Sequence, residues 1–284
     1  MVDGKKIQYS PIKPVHKNTM IKNITYLILS LFLFGCQNKP EEKISEKSEI
    51  KQSEIYHLRT ENDVDNEICW EGQIKNKLPI FIHYSLQENL VIGEITYLNT
   101  STKRPIKLIG TIEDDKSFRL LEFDKNGNVT GIITGKPNGD KFNGKWFSPI
   151  SRKEFSLNLN KSEKHIKSES KTVNPEDIFG DYRYSYGEFT YNGKFNVKKI
   201  DNNLISFEIL SVGNGEAPPI AQVERDTIKL ESNNSFTYKL PESNDCKFKI
   251  TFHKNFVFVE YLKGNCDGQF GMNATIEGIF IKQD

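Results

Sequence analysis

The sequence predicts an all-β protein, built as two small antiparallel β-meander barrels or sandwiches in tandem behind a disordered tether. Three observations carry this. The chain holds 19 Phe and 11 Tyr against 3 Met, a composition that suits pleated, half-buried surfaces better than helices. From about residue 68 onward, short runs alternate apolar and polar side chains between turn residues, and period-two alternation marks a half-buried strand. Two charged, Ser-containing stretches, 37–67 and 161–177, bracket the first block of this pattern and separate it from the second.

Taken in order, residues 1–35 read as an address rather than as structure. Met1 to Thr19 are polar and aperiodic, and Met20 makes a better start. After it come a basic residue, Lys22, and an apolar run from Ile24 to Phe34, as in a secretory signal. A run of roughly a dozen apolar residues is shorter than the ~20 needed to span a bilayer. The ending Leu33-Phe34-Gly35-Cys36 resembles the lipobox of bacterial lipoproteins. The resemblance implies cleavage before Cys36, lipid on its thiol and its new amino group, and attachment to the outer membrane without a spanning helix. Glu41-Glu42 after Lys39 is similar to export signals of Bacteroidota lipoproteins, so the lipid lies on either the periplasmic or the exposed face.

Residues 36–67 carry many charges and few aromatics, too little apolar surface to offset ordering entropy. They read as a flexible tether with a reach of about 30 Å. A short amphipathic helix through Ile44, Ile50 and Ile55 is the alternative.

The first β domain spans 68–160, with strands at 68–75, 79–86, 90–98, 105–112, 117–123, 128–134, 141–147 and 153–159. One parity collects Ile80, Ile82 and Tyr84, then Val91, Gly93, Ile95 and Tyr97, Ile106, Leu108, Gly110 and Ile112, Val129, Gly131 and Ile133, Phe142, Gly144 and Trp146, and Phe155, Leu157 and Leu159. That parity is the core face. Asn126-Gly127 and Asn138-Gly139 are preferred in tight hairpins because both positions tolerate positive φ. Short connections make sequence neighbours spatial neighbours, so the strands close into an up-and-down barrel or fold into a sandwich. Glycines on the core parity indicate a taper of side-chain size or sharply bent strands; room for a ligand is the competing explanation.

Residues 161–177 form a linker. The second, barrel-like domain covers 178–284, with strands at 188–200, 203–212, 219–224, 226–231, 235–240, 246–253, 255–262 and 275–282 after the aromatic opening Phe179 to Gly187. The segment Cys266 to Phe280 resembles the C-terminal segments of small secreted bacterial β-proteins, which implies a closing last strand with a disulfide and no activity.

Besides Cys36 the chain has Cys69, Cys246 and Cys266. In an oxidising compartment, Cys246 with Cys266 is the expected pair, closing a loop of roughly 20 residues worth about 3 kcal/mol. Cys69 is then left over; pairing Cys69 with either of the others would tie the two halves together.

A net charge of +1 leaves no basic field for nucleic acid. Gly139 to Lys145 imitates a phosphate loop, but Trp146 stands where Ser or Thr is needed. Asp124 to Asn128 imitates the start of a calcium loop, but Val129 and Gly135 occupy its sixth and twelfth positions. No catalytic residue, metal site or cofactor is expected. The candidate binding loop is 211–220, with Asn214, Glu216, Pro218 and Pro219 at its tip. Tyr182, Tyr184, Tyr186 and Tyr191 offer a recognition surface, although alternation assigns about half of them to the core. Asp226-Thr227-Ile228 fits an O-glycosylation pattern of Bacteroidota envelope proteins. A looser similarity of size, lipobox and disulfide links the chain to lipid-anchored lysozyme inhibitors. The functional expectation is a monomeric, non-enzymatic protein-binding or inhibitor module meeting an envelope or extracellular protein. The alternatives are a carrier of a small apolar ligand inside a barrel, and an unrecognised enzyme.

Overall fold

The computed structural model describes residues 66–168, 172–187, 190–232, 234–243, 245–263, 266, 268–271 and 273–284. The expectations for the signal segment, for Cys36 and its lipid, and for the tether through residue 65 lie outside the described residues.

Eight strands form a closed antiparallel barrel in sequence order: β1 Ile68–Ile74, β2 Leu78–Gln87, β3 Leu90–Tyr97, β4 Ile106–Ile112, β5 Phe118–Phe123, β6 Val129–Asn138, β7 Lys141–Ser148 and β8 Lys153–Lys161. Closure comes from β8 pairing back to β1, with Gly72 opposite Leu159. The core parity read from the sequence lies inside, except at Val129. A β-bulge between Glu122 and Phe123 shifts the register there, and Val129 instead joins the core shared with the second domain.

The barrel interior is filled. Trp70 donates its indole N–H to the Tyr84 hydroxyl at 3.1 Å. Phe142 lies edge-on to both Trp70 and Phe118, with ring centroids 5.9 Å apart in each pair. The core glycines serve strand curvature: a Cβ at Gly72, Gly93 or Gly110 would lie 2.0 Å from a carbonyl oxygen of the neighbouring strand. Coiled strands in a small barrel approach this closely only without a side chain.

The hairpins differ in detail from the expectation of two positive φ values. At Asp124 to Asn128 only Gly127 has positive φ, +76°. The Asp124 carboxylate accepts the amides of Asn126 and Asn128 at 2.9 and 2.8 Å, so the segment is a side-chain-capped turn. Gly139 has positive φ at the first central position of a two-residue turn, the pattern of a type II′ hairpin.

After a single 3-10 turn, Pro175–Ile178, a second set of strands follows: β9 Gly180–Ser185, β10 Asn192–Lys199, β11 Leu204–Val212, β12 Ile220–Lys229, β13 Ser235–Lys239, β14 Lys247–His253, β15 Phe256–Lys263 and β16 Gly278–Lys282. Their order in the sheet is β12-β11-β10-β9-β16-β15-β14-β13. The sheet curls until its two end strands face each other. Phe207 of β11 meets Phe236 and Tyr238 of β13 at 4.9 and 5.0 Å, and the Tyr238 hydroxyl donates to Asp226 at 2.6 Å across the seam.

Two strand assignments change. The aromatic opening forms a true strand, β9, between β10 and β16. The two runs expected at 219–224 and 226–231 are one strand, β12, which absorbs the charged Glu224-Arg225-Asp226 break through a bulge against β11. Arg225 pairs there with Glu208 at 2.8 Å. An edge strand with one solvated side tolerates such charges, whereas a central strand does not.

The two barrels share a core. Leu90, Ile109, Leu121, Phe123 and Val129 from the outer face of the first pack with the buried residues of the second. Phe256, Phe258, Ile279 and Ile281 supply the facing wall from β15 and β16. Cys246 and Cys266 form a disulfide, while Cys69 is buried with a free thiol.

Candidate functional site

Where the shared core ends, the two barrels part and leave a cleft of about 720 Å³. One wall is the outward parity of β4 and β5, with Thr111, Arg119 and Leu121; the other is the outward parity of β15 and β16, with Phe258, Glu260 and Ile279. Each wall comes from strands whose opposite faces fill a barrel, so the site is held by two rigid scaffolds.

Tyrosines line its mouth. Of the four residues Tyr182 to Tyr191 singled out in the sequence, Tyr182 and Tyr184 are buried and Tyr191 is 46% exposed, with Tyr186 between them. Tyr182 and Tyr184 share the inward parity of β9, whereas Tyr186 and Tyr191 lie beyond its end. Tyr184, Tyr186 and Tyr191 line the cleft together with Tyr261. Tyr184 and Tyr186 meet edge-on at 5.9 Å. Burial lifts the Tyr184 hydroxyl above its ordinary range; Ser211 opposes this, and Tyr186, Tyr261 and Tyr191 add to it. Tyr261 is fixed by Thr275, hydroxyl to hydroxyl at 2.9 Å, and accepts the Ile276 amide at 3.2 Å.

The charge on the cleft walls is one-sided. Among the described residues of the lining, Glu113, Asp114, Glu260 and Glu277 stand against one basic residue, Arg119. Glu113 accepts from the Thr111 hydroxyl at 2.9 Å, and Glu277 from the Tyr261 amide at 3.3 Å. Half-buried Glu260 has no hydrogen bond or ion pair with any described residue. Burial raises its pKa first, Lys249 across the ladder opposes the rise, and Glu88 and Glu277 add to it.

A second groove of about 550 Å³ lies on β9 to β12. Its charges are mixed, with Asp181, Glu208 and Glu224 against Arg183 and Lys194.

Two other constellations have structural explanations. Glu122 is 3% exposed inside the first barrel. It accepts the Tyr97 hydroxyl at 3.0 Å and the Trp146 indole N–H at 3.1 Å on one oxygen. Burial raises its pKa and these donors pull it back. The fit is tight, since a Cβ on Gly131 would lie 2.4 Å from both Glu122 and Trp146.

Cys69 and His83 are register partners on the outer face of β1 and β2, a pairing that invites comparison with a thiol–imidazole dyad. Both ring nitrogens of His83 face carboxylates instead, Nδ1 bonded to Glu67 and Nε2 3.6 Å from Glu94. Burial alone would lower its pKa, but the two carboxylates outweigh it and lift it to about 9. The Cys69 thiol is pushed up, chiefly by burial. A protonated imidazole beside a neutral buried thiol is the wrong ionic state for a general base and its nucleophile.

The loop residues Asn214, Glu216 and Pro218 are exposed and Pro219 is half-buried. The loop is braced at its base, where the Gly213 amide donates to the Pro219 carbonyl at 2.7 Å. These residues line neither the interbarrel cleft nor the second groove. Of the cleft tyrosines the sequence points to Tyr184, Tyr186 and Tyr191 but not Tyr261, and it leaves Glu260, Glu113 and Arg119 as solvated surface because they alternate outward. Among the described residues no cluster of three His, Cys, Asp or Glu is placed to hold a metal ion, and no helix is long and apolar enough to cross a membrane.

Compared with protein-family models, curated proteins and solved structures, the chain finds no match in any of the three.

Proposed function

We propose that this chain is a non-catalytic binding module that takes a small ligand in the cleft between its two barrels. The observation that carries the reading is the cleft itself: about 720 Å³ between two rigid walls, with aromatic rings and a few converging polar groups. Ligand sites of soluble proteins have this size and lining, and they concentrate at domain interfaces. Of the functions expected from the sequence, small-ligand binding is the better supported. Its place is between the barrels, because packed aromatic residues occupy the interior of the first. The lipobox ending at Cys36 and the charged tether support an outer-membrane anchor for the module. In that reading the barrels are held within reach of the bilayer without contacting it.

The test is a thermal-shift screen of a diverse small-molecule library on the wild type and on Thr111→Trp, which puts an indole into the cleft from an outward-facing strand position. Ligands that stabilise the wild type and lose their effect in the variant are expected. Stabilising ligands that all act equally on both proteins would refute the cleft as the site.

A protein-binding role is a second reading, favoured by the exposed, braced loop carrying Asn214, Glu216 and Pro218. Loops of this kind on rigid β scaffolds often carry recognition. Deleting residues 214–218 and repeating affinity capture from envelope extract tests it; capture that survives the deletion would refute it.

A further inference from the structure

The cleft has a chemistry as well as a volume, and it selects among ligand classes. Among the described residues its lining has four carboxylates and one guanidinium. Among the carboxylates, Glu260 is half-buried without a hydrogen bond or ion pair from the described residues. Its nearest basic neighbour in sheet register, Lys249, stops short of ion-pair distance. Burial and the negative neighbours Glu88 and Glu277 both work against its charge. A carboxylate in that position gains from an arriving positive charge, and the gain is larger than on open surface because Glu260 is half out of water.

The remaining lining fits the same ligand. Tyr186 and Tyr191 have no hydrogen bond from their hydroxyls to any described residue, and with Tyr184 and Phe258 they present rings around the space. Aromatic faces attract cations through the ring quadrupole, more strongly when the cation is desolvated. Rings also accept an apolar stem. The second groove lacks this combination, since its charges nearly balance.

Resting on the proposal that the cleft is the ligand site, the geometry points to a small organic cation as the ligand class: an alkylammonium or polyamine whose charged head lies between Glu260 and the tyrosines. On the first barrel's wall Arg119 stands with Glu113 and Asp114, so a second ammonium reaching that wall meets two carboxylates and one guanidinium.

The test is isothermal titration at low ionic strength with tetramethylammonium, cadaverine and spermidine. Neutral glucose and tert-butanol and anionic acetate serve as controls. The proteins are the wild type, Glu260→Gln, Tyr191→Ala and Thr111→Trp, with circular dichroism melts showing that each is folded. Tyr191 is 46% exposed, so its truncation leaves the fold intact even if Glu260→Gln perturbs it. Saturable binding of one of the cations is expected. It should weaken about tenfold or more in Glu260→Gln and about threefold to tenfold in Tyr191→Ala, disappear in Thr111→Trp, and fall as salt is raised. Binding of a neutral or anionic probe, lost in Thr111→Trp while cations fail to bind, would overturn the ligand class and leave the cleft as the site. Cation binding unchanged in all three variants would overturn the class, the residues and the site together.

Discussion

The Ser185 amide donates to the Gly127 carbonyl at 2.9 Å, so a hairpin of the first barrel is stitched to the first strand of the second. Asn128 extends the contact by bridging to Ser185 and accepting from Arg183 at 3.4 Å. This junction fixes one end of the shared core, and with it the width of the cleft that opens beyond.

Gly127 is therefore expected to be hard to replace. Its φ is +76°, and an added Cβ would lie 2.5 Å from the Arg183 carbonyl oxygen. Gly127→Ala should cost about 2–3 kcal/mol in urea denaturation. A change under about 0.5 kcal/mol would show that the hairpin does not lock the barrels together.

The raised pKa of His83 predicts a stability change on the alkaline side. The folded value is about 9 against 6.5 for the free side chain. The contribution is thus fully present below pH 6.5 and lost as pH rises from 6.5 through 9. Glu94 is 43% exposed, so solvent screening reduces the effect to on the order of 1–2 kcal/mol. Denaturation midpoints from pH 6 to 9.5 should show this loss in the wild type and a flatter profile in His83→Gln. Parallel profiles would contradict the carboxylate clamp.

His253 acts at the opposite end of the scale. It stacks on Phe256 at 4.4 Å, and its pKa falls to about 4 through burial and then through Lys249. Folding holds it neutral, so stability should decline as pH drops from about 6.5 through 4. His253→Phe should resist acid better than the wild type, and equal acid midpoints would refute the assignment.

Glu122 depends on its two donors. Trp146→Phe and Tyr97→Phe each remove one bond to a buried carboxyl and should each cost about 1–3 kcal/mol. The double variant should cost less than the sum, because both donors serve the same oxygen. Strict additivity in a double-mutant cycle would count against a shared site.

Much of this architecture is legible in the sequence, for identifiable reasons. Period-two alternation locates all eight strands of the first barrel and most of its core, because one face of most of them carries only apolar side chains or glycine, the inward Glu122 of β5 being an exception. Val129 was misplaced since a bulge changes parity without changing composition. Strand β9 was hidden because Tyr182 and Tyr184 share their stretch with Gly180, Arg183 and Tyr186, which reads as an aromatic loop. The cleft was hardest to see, because Glu260 and Arg119 become neighbours of one space only when two distant barrels dock. One sign of docking was present: Phe118 to Phe123 and Phe256 to Val259 carry apolar residues on both parities, and a strand with two apolar faces needs a second cover.

The most direct test of the cleft as the ligand site is a titration of the ¹⁵N-labelled protein, residues 66–284, with the best-binding ligand from the thermal-shift screen, followed by amide chemical shifts. Shifts concentrated at Thr111, Arg119, Tyr191, Glu260 and Ile279, with the barrel interior and residues 213–219 unmoved, are the expected result. Shifts concentrated around Tyr84, Phe118 and Phe142, or on the 213–219 loop, would contradict it.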